Sequence, residues 1–119
     1  MNLAALATTA PAATAPVFAA LGDANRQRLL FLLVRDGRAS ASSLAPSLEV
    51  SRQAVDKHLR VLARAGLVES ARAGREVLYS VRREELERSA AWLRELADGW
   101  DTRLASIKAA AEAIDQHET

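Results

Sequence analysis

The amino-acid sequence predicts a mainly α-helical fold with one small β-hairpin. Apolar residues recur at the three- and four-residue spacing of a helix along most of the chain. The exception is residues 67–81, where apolar and polar residues alternate as in a half-buried strand. The chain has 119 residues, half of them apolar, which is the size of one compact domain. We therefore expect one domain over residues 16–116, preceded by a flexible tail of residues 1–15.

The first fifteen residues, MNLAALATTAPAATA, resemble a secretory signal in being apolar and in ending near an Ala-x-Ala pattern. They lack a basic start, and Thr8, Thr9 and Pro11 interrupt the apolar run. No segment approaches the roughly 18 to 20 apolar residues that span a bilayer. The absence of cysteine excludes disulfides and thiolate metal sites and fits a reducing compartment. The sequence therefore predicts a cytoplasmic protein without a membrane partner.

Two helices are predicted in the first third of the domain. A short apolar run ends at Gly22, and Asp23 then provides the N-cap of a second helix, which ends at Gly37. Four leucines cover too much of this second helix for a surface element: Leu29, Leu30, Leu32 and Leu33. We therefore expect the second helix to lie at the centre of the core.

A third, short helix is predicted over residues 43–48. Its cap is either Ser42 or Ser43, because a serine side chain accepts hydrogen bonds from the first free amides of a helix. This start places Pro46 in the first turn, where proline is tolerated because its missing N–H would have no partner there.

A fourth helix, over residues 51–65, follows after only two or three residues. Ser51 is its predicted cap, and Gly66 ends it. The buried stripe of this helix has i, i+4, i+7 spacing and consists of Val55, Leu59 and Leu62. Two helices joined by so short a turn, the second with a basic exposed face, form a helix-turn-helix pattern.

The β-hairpin follows directly, over residues 67–82. The stretches LVESA and EVLYSV flank RAGR, and Gly74 supplies the positive φ that the turn requires. A hairpin in this place is a wing, so the fold class predicted is a winged helix-turn-helix.

Helical periodicity returns at Glu84 and continues to about Gln116. The apolar residues step alternately by four and three, as in a heptad seam: Leu86, Ala90, Leu93, Ala97, Trp100, Leu104, Ile107, Ala111 and Ile114. A helix of this length has more apolar surface than so small a domain can cover. We therefore expect part of the seam to pack against a second copy of the chain.

Three stretches resemble a known family: FAALGDANRQRLLFLL at 18–33, SRQAVDKHLRVLARAGLV at 51–68, and ARAGREVLYSV at 71–81. They resemble the ArsR/SmtB-type winged helix-turn-helix repressors of bacteria. This resemblance implies a homodimer, built on the first and last helices, that binds operator DNA and releases it on a signal. The stretch AAWLRELADGWDTRLASIKAA further resembles the branch of the family without recognisable metal ligands. The interface residues expected here are Phe18, Leu93, Trp100, Leu104 and Ile107.

The distribution of charge along the chain points to nucleic acid. Residues 51–83 hold eight Lys and Arg against three acids, whereas residues 84–119 hold four against nine. The second helix of a helix-turn-helix enters the major groove. The expected DNA contacts are Ser51, Arg52, Gln53, Asp56, Lys57, Arg60, Arg64, Arg72 and Arg75. The alternative is a basic surface that is only solvated.

Different contacts are expected within this set. The side chains that should meet base edges are Arg52, Gln53, Asp56 and Lys57. Arg60 is expected to contact a phosphate. Ser51 is expected to cap the helix, whose first amides would then bind a second phosphate. The wing arginines, Arg72 and Arg75, are expected to reach an adjacent minor groove.

Asp56 departs from the pattern of the family, which commonly has a small hydroxyl residue at this position. Two explanations are open. The carboxylate either accepts a hydrogen bond from a cytosine amine or holds Arg60, four residues further along the helix.

Metal binding, cofactor binding and catalysis find no support in the sequence. Ser40 and Ser42 align with the Cys-x-Cys pair of the metal-sensing family members, so soft ligands are missing. The other candidate ligands lie at the end of the chain: Asp115, His117 and Glu118. His58 faces partly inward and is expected to be structural. No nucleophile with a base, glycine-rich phosphate loop or paired acids are visible, so we expect no enzyme and no cofactor.

Two classes of function remain. The first is a dimeric, sequence-specific transcriptional repressor, whose partners are double-stranded DNA and a second copy of the chain. The second is a winged helix used for protein interaction, in which the acidic last helix binds a partner. The sequence leaves open an effector of unidentified chemistry that would control the first function.

Overall fold

A computed structural model of the chain describes Ala12 and residues 14–117. The described elements in chain order are α1 (Thr14–Leu21), α2 (Ala24–Asp36), α3 (Ala41–Leu48), α4 (Arg52–Arg64), β1 (Val68–Ala73), β2 (Glu76–Val81) and α5 (Arg83–His117). The prediction of a mainly helical fold with one hairpin is confirmed. Most of the predicted tail lies outside the described residues, but Thr14 and Ala15 already belong to α1.

The chain divides into two compact units within α5. One unit spans Ala12–Ser89, and the other contains α5 from Ala90 onward. The hydrophobic core belongs to the first unit, and the largest side chains in it are less than 2 % exposed: Val17, Leu29, Leu33, Val55, Leu59, Leu62 and Leu67. The apolar stripes predicted on the second and fourth helices therefore form the core.

Helix α2 begins and ends at the residues that the sequence predicts. The Asp23 carboxylate accepts hydrogen bonds from the amides of Asn25 (2.8 Å) and Arg26 (3.2 Å), which have no partner within the helix. At the other end Gly37 has a φ of 83°, and its N–H donates to the Leu33 carbonyl over 2.8 Å. These local bonds fix both limits of the central core helix.

The start of α3 differs from the prediction. The cap is Ser40, and the expectation of Ser42 or Ser43 is wrong. The amide of Ser43 donates to the Ser40 hydroxyl and the amide of Ser40 to the Ser43 hydroxyl, both over 3.2 Å. This reciprocal capping box satisfies two free amides at once, which favours the earlier start. Pro46 consequently lies in the second turn of the helix and not in the first.

The hairpin has the predicted position and turn. Val68 pairs with Val81 at its open end and Ala73 with Glu76 beside the turn. Gly74 opens the two-residue turn with a φ of 64°, as a type II′ hairpin turn requires.

A backbone bridge that the sequence analysis did not anticipate holds the hairpin to the segment before α3. The amide of Ala39 donates to the Tyr79 carbonyl over 3.1 Å, and the amide of Tyr79 donates to the Ala39 carbonyl over 2.8 Å. The bridge adds a third extended segment beside β2, so the hairpin is fixed relative to the start of α3.

Helix α5 runs without interruption from Arg83 to His117, close to the predicted limits of 84 and 116. Within the described residues, no helix combines the length and the apolar character needed to cross a membrane. Several large apolar side chains of α5 are solvent-exposed in the single chain: Leu93, Leu96, Trp100, Leu104, Ile107 and Ile114.

Candidate nucleic-acid interface

The exposed face of α4 follows from the burial of its opposite face. The Ser51 hydroxyl accepts a hydrogen bond from the Ala54 amide over 3.1 Å and fixes the start of the helix. Val55, Leu59 and Leu62 are completely buried. Because these three side chains occupy one side of α4, Lys57 and Arg60 are turned outward, whereas His58 is half-buried.

The end of α4 directs the chain into the hairpin. The amide of Leu67 donates to the Leu62 carbonyl over 2.9 Å, and that of Gly66 to the Ala63 carbonyl over 3.0 Å, as in a Schellman motif. Gly66 has a φ of 78°, and a Cβ there would lie 3.1 Å from Cγ of Glu85. A glycine is therefore required where the chain leaves α4 to begin β1.

The predicted contact residues are accessible. Eight of the nine are exposed: Ser51, Arg52, Gln53, Lys57, Arg60, Arg64, Arg72 and Arg75. Asp56 is the exception, since it is half-buried. All nine side chains can therefore be reached from solvent, and Asp56 is the least exposed of them.

A cleft of about 400 Å³ lies between α4, the start of α3 and the hairpin. Arg52, Asp56 and Arg60, spaced four residues apart on α4, line one side. The remaining lining residues come from α3, the segment before it and the hairpin: Ser40, Ala41, Ser42, Arg75, Glu76, Val77 and Tyr79. The structure thus brings Arg75 of the wing together with α4, whereas Gln53, Lys57, Arg64 and Arg72 lie outside this cleft.

The cations of this surface are not neutralised. Within the part of the chain that the structure describes, none of six basic side chains forms an ion pair: Arg52, Lys57, Arg60, Arg64, Arg72 and Arg75. At the base of the hairpin the situation differs. Arg82 lies 4.0 Å from Glu69 and 3.8 Å from Glu84, and Arg83 lies 2.6 Å from Glu87. Six cations without an ion pair therefore share α4 and the hairpin tip, while Arg28, Arg38, Arg94 and Arg103 are each unpaired elsewhere in the described residues.

A polar cluster that the sequence analysis missed anchors α4 from behind. Arg26 of α2 donates from Nε to the Ala20 carbonyl over 2.5 Å and from Nη2 to the Ala19 carbonyl over 3.3 Å. Its Nη1 lies 3.4 Å from Nδ1 of His58 on α4. His58 is only 20 % exposed and lies 4.0 Å from the Asp23 carboxylate. The structural role expected for His58 agrees with these contacts.

The same cluster shifts the pKa of Asp23. The hydrogen bond from the Arg26 amide holds the pKa of this carboxyl below its ordinary value of 3.8, and the Asn25 amide and the charges of His58 and Arg26 act in the same direction. Desolvation opposes the shift. Asp23 is therefore held in the charged form that caps α2.

The described residues contain no group of three His, Asp or Glu side chains that could hold a metal ion. Ser40 and Ser42 both line the cleft beside α4, so hydroxyl oxygens stand at the positions where metal-sensing relatives were expected to have cysteines. The side chains of His117 and Glu118 lie outside the described residues.

The residues expected in a dimer interface differ in accessibility. Phe18 on α1 is half-buried. Four residues of α5 are about half exposed in the single chain: Leu93 (48 %), Trp100 (59 %), Leu104 (45 %) and Ile107 (52 %).

A short helix, a cation-rich second helix and a two-stranded hairpin beside it define a winged helix-turn-helix, a class of DNA-binding protein. A family model described as a helix-turn-helix domain matches residues 21–71. The chain is 49 % identical to an ArsR-like transcriptional regulator from Rhodococcus sp. RHA1, with a TM-score of 0.73, over 82 % of this chain and 91 % of that one.

Two further relatives have the same character. The transcriptional repressor SdpR of Bacillus subtilis is 28 % identical over 88 residues, which is 74 % of this chain and 97 % of SdpR. A homodimeric winged helix-turn-helix DNA-binding domain from Mycobacterium bovis is 28 % identical with a TM-score of 0.59, over 72 % of this chain and 79 % of that one. The protein belongs to the ArsR family of winged helix-turn-helix transcriptional regulators, which are DNA-binding proteins and not enzymes.

Proposed function

We propose that the protein is a cytoplasmic, homodimeric repressor that binds a palindromic operator, including one at its own gene. The observation that carries this proposal is the set of six unpaired basic side chains on α4 and the hairpin tip. Unpaired cations on an exposed helix attract the phosphate backbone, and this attraction supplies nearly all of the sequence-independent affinity for DNA. Membership of the ArsR family supports the same function.

Sequence-specific binding requires contacts to base edges as well as to phosphates. Arg52, Gln53 and Lys57 occupy the first two turns of α4, are exposed, and present donors to the major groove. Arg60 lies farther along the helix and faces the cleft beside Arg75, which suits a phosphate that passes between α4 and the wing. Base contacts are therefore expected from the first half of α4, and backbone contacts from Arg60 and the wing.

A palindromic site follows from two-fold symmetry. The exposed apolar residues of α5 form a surface that a second copy would cover, and the relative from Mycobacterium bovis is a homodimer. Two α4 helices related by a two-fold axis would enter successive major grooves about 34 Å apart. The operator would then consist of two inverted half-sites.

Footprinting on the DNA upstream of the protein's own gene tests the proposal, since an autorepressor protects a site there. The affinity of the protected site is then compared with that of bulk DNA for the wild type and Arg52→Ala. We expect Arg52→Ala to weaken operator binding by about 5- to 150-fold, the value of one bidentate contact to a base, with a smaller effect on bulk DNA. The matched control is Arg28→Ala, which removes an exposed guanidinium from α2 and should change neither affinity.

The other class of function, a protein-interaction module, is favoured by the nine acids in residues 84–119. Salt dependence separates the two. If log K for the operator falls steeply and linearly with log[salt], binding releases counterions from phosphates, as a DNA-binding repressor requires. Absence of any protected site, together with salt-independent and sequence-independent DNA binding, would contradict the repressor.

A further inference from the structure

We propose that Asp56 reads a cytosine of the operator, by accepting a hydrogen bond from its exocyclic N4 amine in the major groove. The inference rests on the proposed function, because it names the base that one residue of α4 would select. Of the two explanations that the sequence leaves open for Asp56, contact with cytosine is thus favoured over holding Arg60.

The surroundings of Asp56 leave its carboxylate without a basic partner. Arg52 and Arg60 lie four residues before and after it, and all three side chains line the same cleft. Yet among the described residues Asp56 forms no ion pair with Arg60 or with any other side chain. The role of holding Arg60 is therefore not performed in the free protein, and the carboxylate remains available as an acceptor.

The chemistry of the major groove restricts what an available carboxylate can bind. An ionised carboxylate only accepts hydrogen bonds, and the donors exposed in this groove are N4 of cytosine and N6 of adenine. Adenine presents the acceptor N7 beside N6, which would repel the second carboxylate oxygen. Cytosine has no such acceptor next to its amine. Asp56 therefore favours cytosine, whereas an amide side chain favours adenine.

The position of Asp56 also explains how an acid is tolerated in a DNA-binding surface. It is half-buried in a cleft that Arg52, Arg60 and Arg75 share, so its charge lowers the attraction of that cleft for any phosphate. This cost applies to all DNA sequences. The hydrogen bond to cytosine offsets this loss of affinity only at the correct site. Asp56 therefore increases the difference in affinity between operator and bulk DNA.

Selection of binding sites from random double-stranded DNA tests the inference with the full chain and two variants. The wild type should select one cytosine per half-site whose replacement weakens binding by about 5- to 150-fold, the usual effect of one mismatched base pair. Asp56→Asn should change that preference from cytosine to adenine. Asp56→Ser should bind all four bases at that position with affinities within about 2-fold, since a hydroxyl can donate or accept.

Glu76→Gln is the matched control, because it removes one negative charge from the same cleft but from β2. It should raise the affinity for all sequences and leave the selected bases unchanged. If Asp56→Asn and Asp56→Ser select the same bases as the wild type, the inference is wrong while the proposed function stands. The inference also fails if Glu76→Gln changes the same base preference. A wild type that selects no sequence would overturn the proposed function itself.

Discussion

The Nη1 atom of Arg26 on α2 lies 3.4 Å from Nδ1 of His58 on α4, so a residue outside the helix-turn-helix contacts the helix that carries the proposed DNA-binding surface. The same guanidinium donates to the Ala19 and Ala20 carbonyls at the end of α1. Arg26 therefore connects three helices of the first unit through one side chain that is only 18 % exposed.

Arg26→Ala should lower the free energy of unfolding by about 1.5 to 3 kcal/mol, because hydrogen bonds to a charged group are removed and the Ala20 carbonyl loses its guanidinium donor, while the Ala19 carbonyl keeps the Gly22 amide. Urea denaturation measures the change. Arg28→Ala is the control: Arg28 is exposed on the same helix, so its replacement should change the free energy by less than about 0.5 kcal/mol. Equal effects of the two substitutions would contradict the anchoring role of Arg26.

Asp23 should make stability depend on pH in the acid range. Its pKa is below the ordinary 3.8 in the folded protein, so its contribution is complete above that value and is lost as the pH falls through the folded pKa. Asp23→Asn keeps an N-cap but removes the charge. The wild type should therefore exceed this variant in stability at neutral pH, by a margin that shrinks in acid. A margin that is the same at both pH values would refute the prediction.

The sequence predicted the elements of this fold because their signals are local. Asp23 and Ser51 each stand directly before an apolar stripe of helical spacing, and each caps its helix. The turn at Gly74 is equally local, since two residues between alternating stretches determine it. Ser40 was missed because Ser42 and Ser43 offer the same side chain, and only the reciprocal bond with Ser43 distinguishes them.

Other features required the folded chain. The bridge from Ala39 to Tyr79 and the contact of Arg26 with His58 join residues far apart in sequence, and no periodicity marks either pair. For the candidate surface, the sequence predicted its residues but not their grouping. That Arg75 shares a cleft with Arg60, and that Arg72 does not line it, depends on how the hairpin lies beside α4.

The wing should add affinity with little choice of sequence. Replacement of Arg72 and Arg75 together by alanine should weaken DNA binding and reduce the slope of log K against log[salt] by up to about two units, one for each phosphate that is no longer neutralised. Arg82→Ala is the control, since Arg82 already lies beside Glu69 and Glu84 and should alter the slope less. An unchanged slope in the double variant would leave the wing as a solvated turn.

Titration with zinc, nickel or cadmium should leave the affinity for DNA unchanged. Ser40 and Ser42 provide neutral hydroxyl oxygens, which bind these metals far less well than thiolates do. Fluorescence anisotropy of labelled operator DNA, with and without each metal, measures the effect, and a chelator added afterwards controls for aggregation. A stoichiometric loss of binding that the chelator reverses would show a metal site after all.

The proposed contacts with a palindromic operator require that two copies of the chain form a dimer. Leu104 and Ile107 lie on the exposed apolar surface of α5 and are 45 % and 52 % exposed. In a single chain this apolar surface faces water and does not stabilise the fold. If two copies bury it across a two-fold axis, each truncation of a packed leucine or isoleucine costs about 2 to 5 kcal/mol and occurs in both subunits.

Leu104→Ala combined with Ile107→Ala should therefore shift the sedimentation coefficient from dimer toward monomer and abolish tight binding to the full operator, while α4 remains chemically intact. Arg103→Ala, at an exposed polar position of the same helix, is the control and should stay dimeric. Binding of the double variant to an isolated half-site should persist weakly, because each α4 still carries its base contacts. A monomeric double variant that binds the full operator as tightly as the wild type would show that dimerisation does not create the affinity.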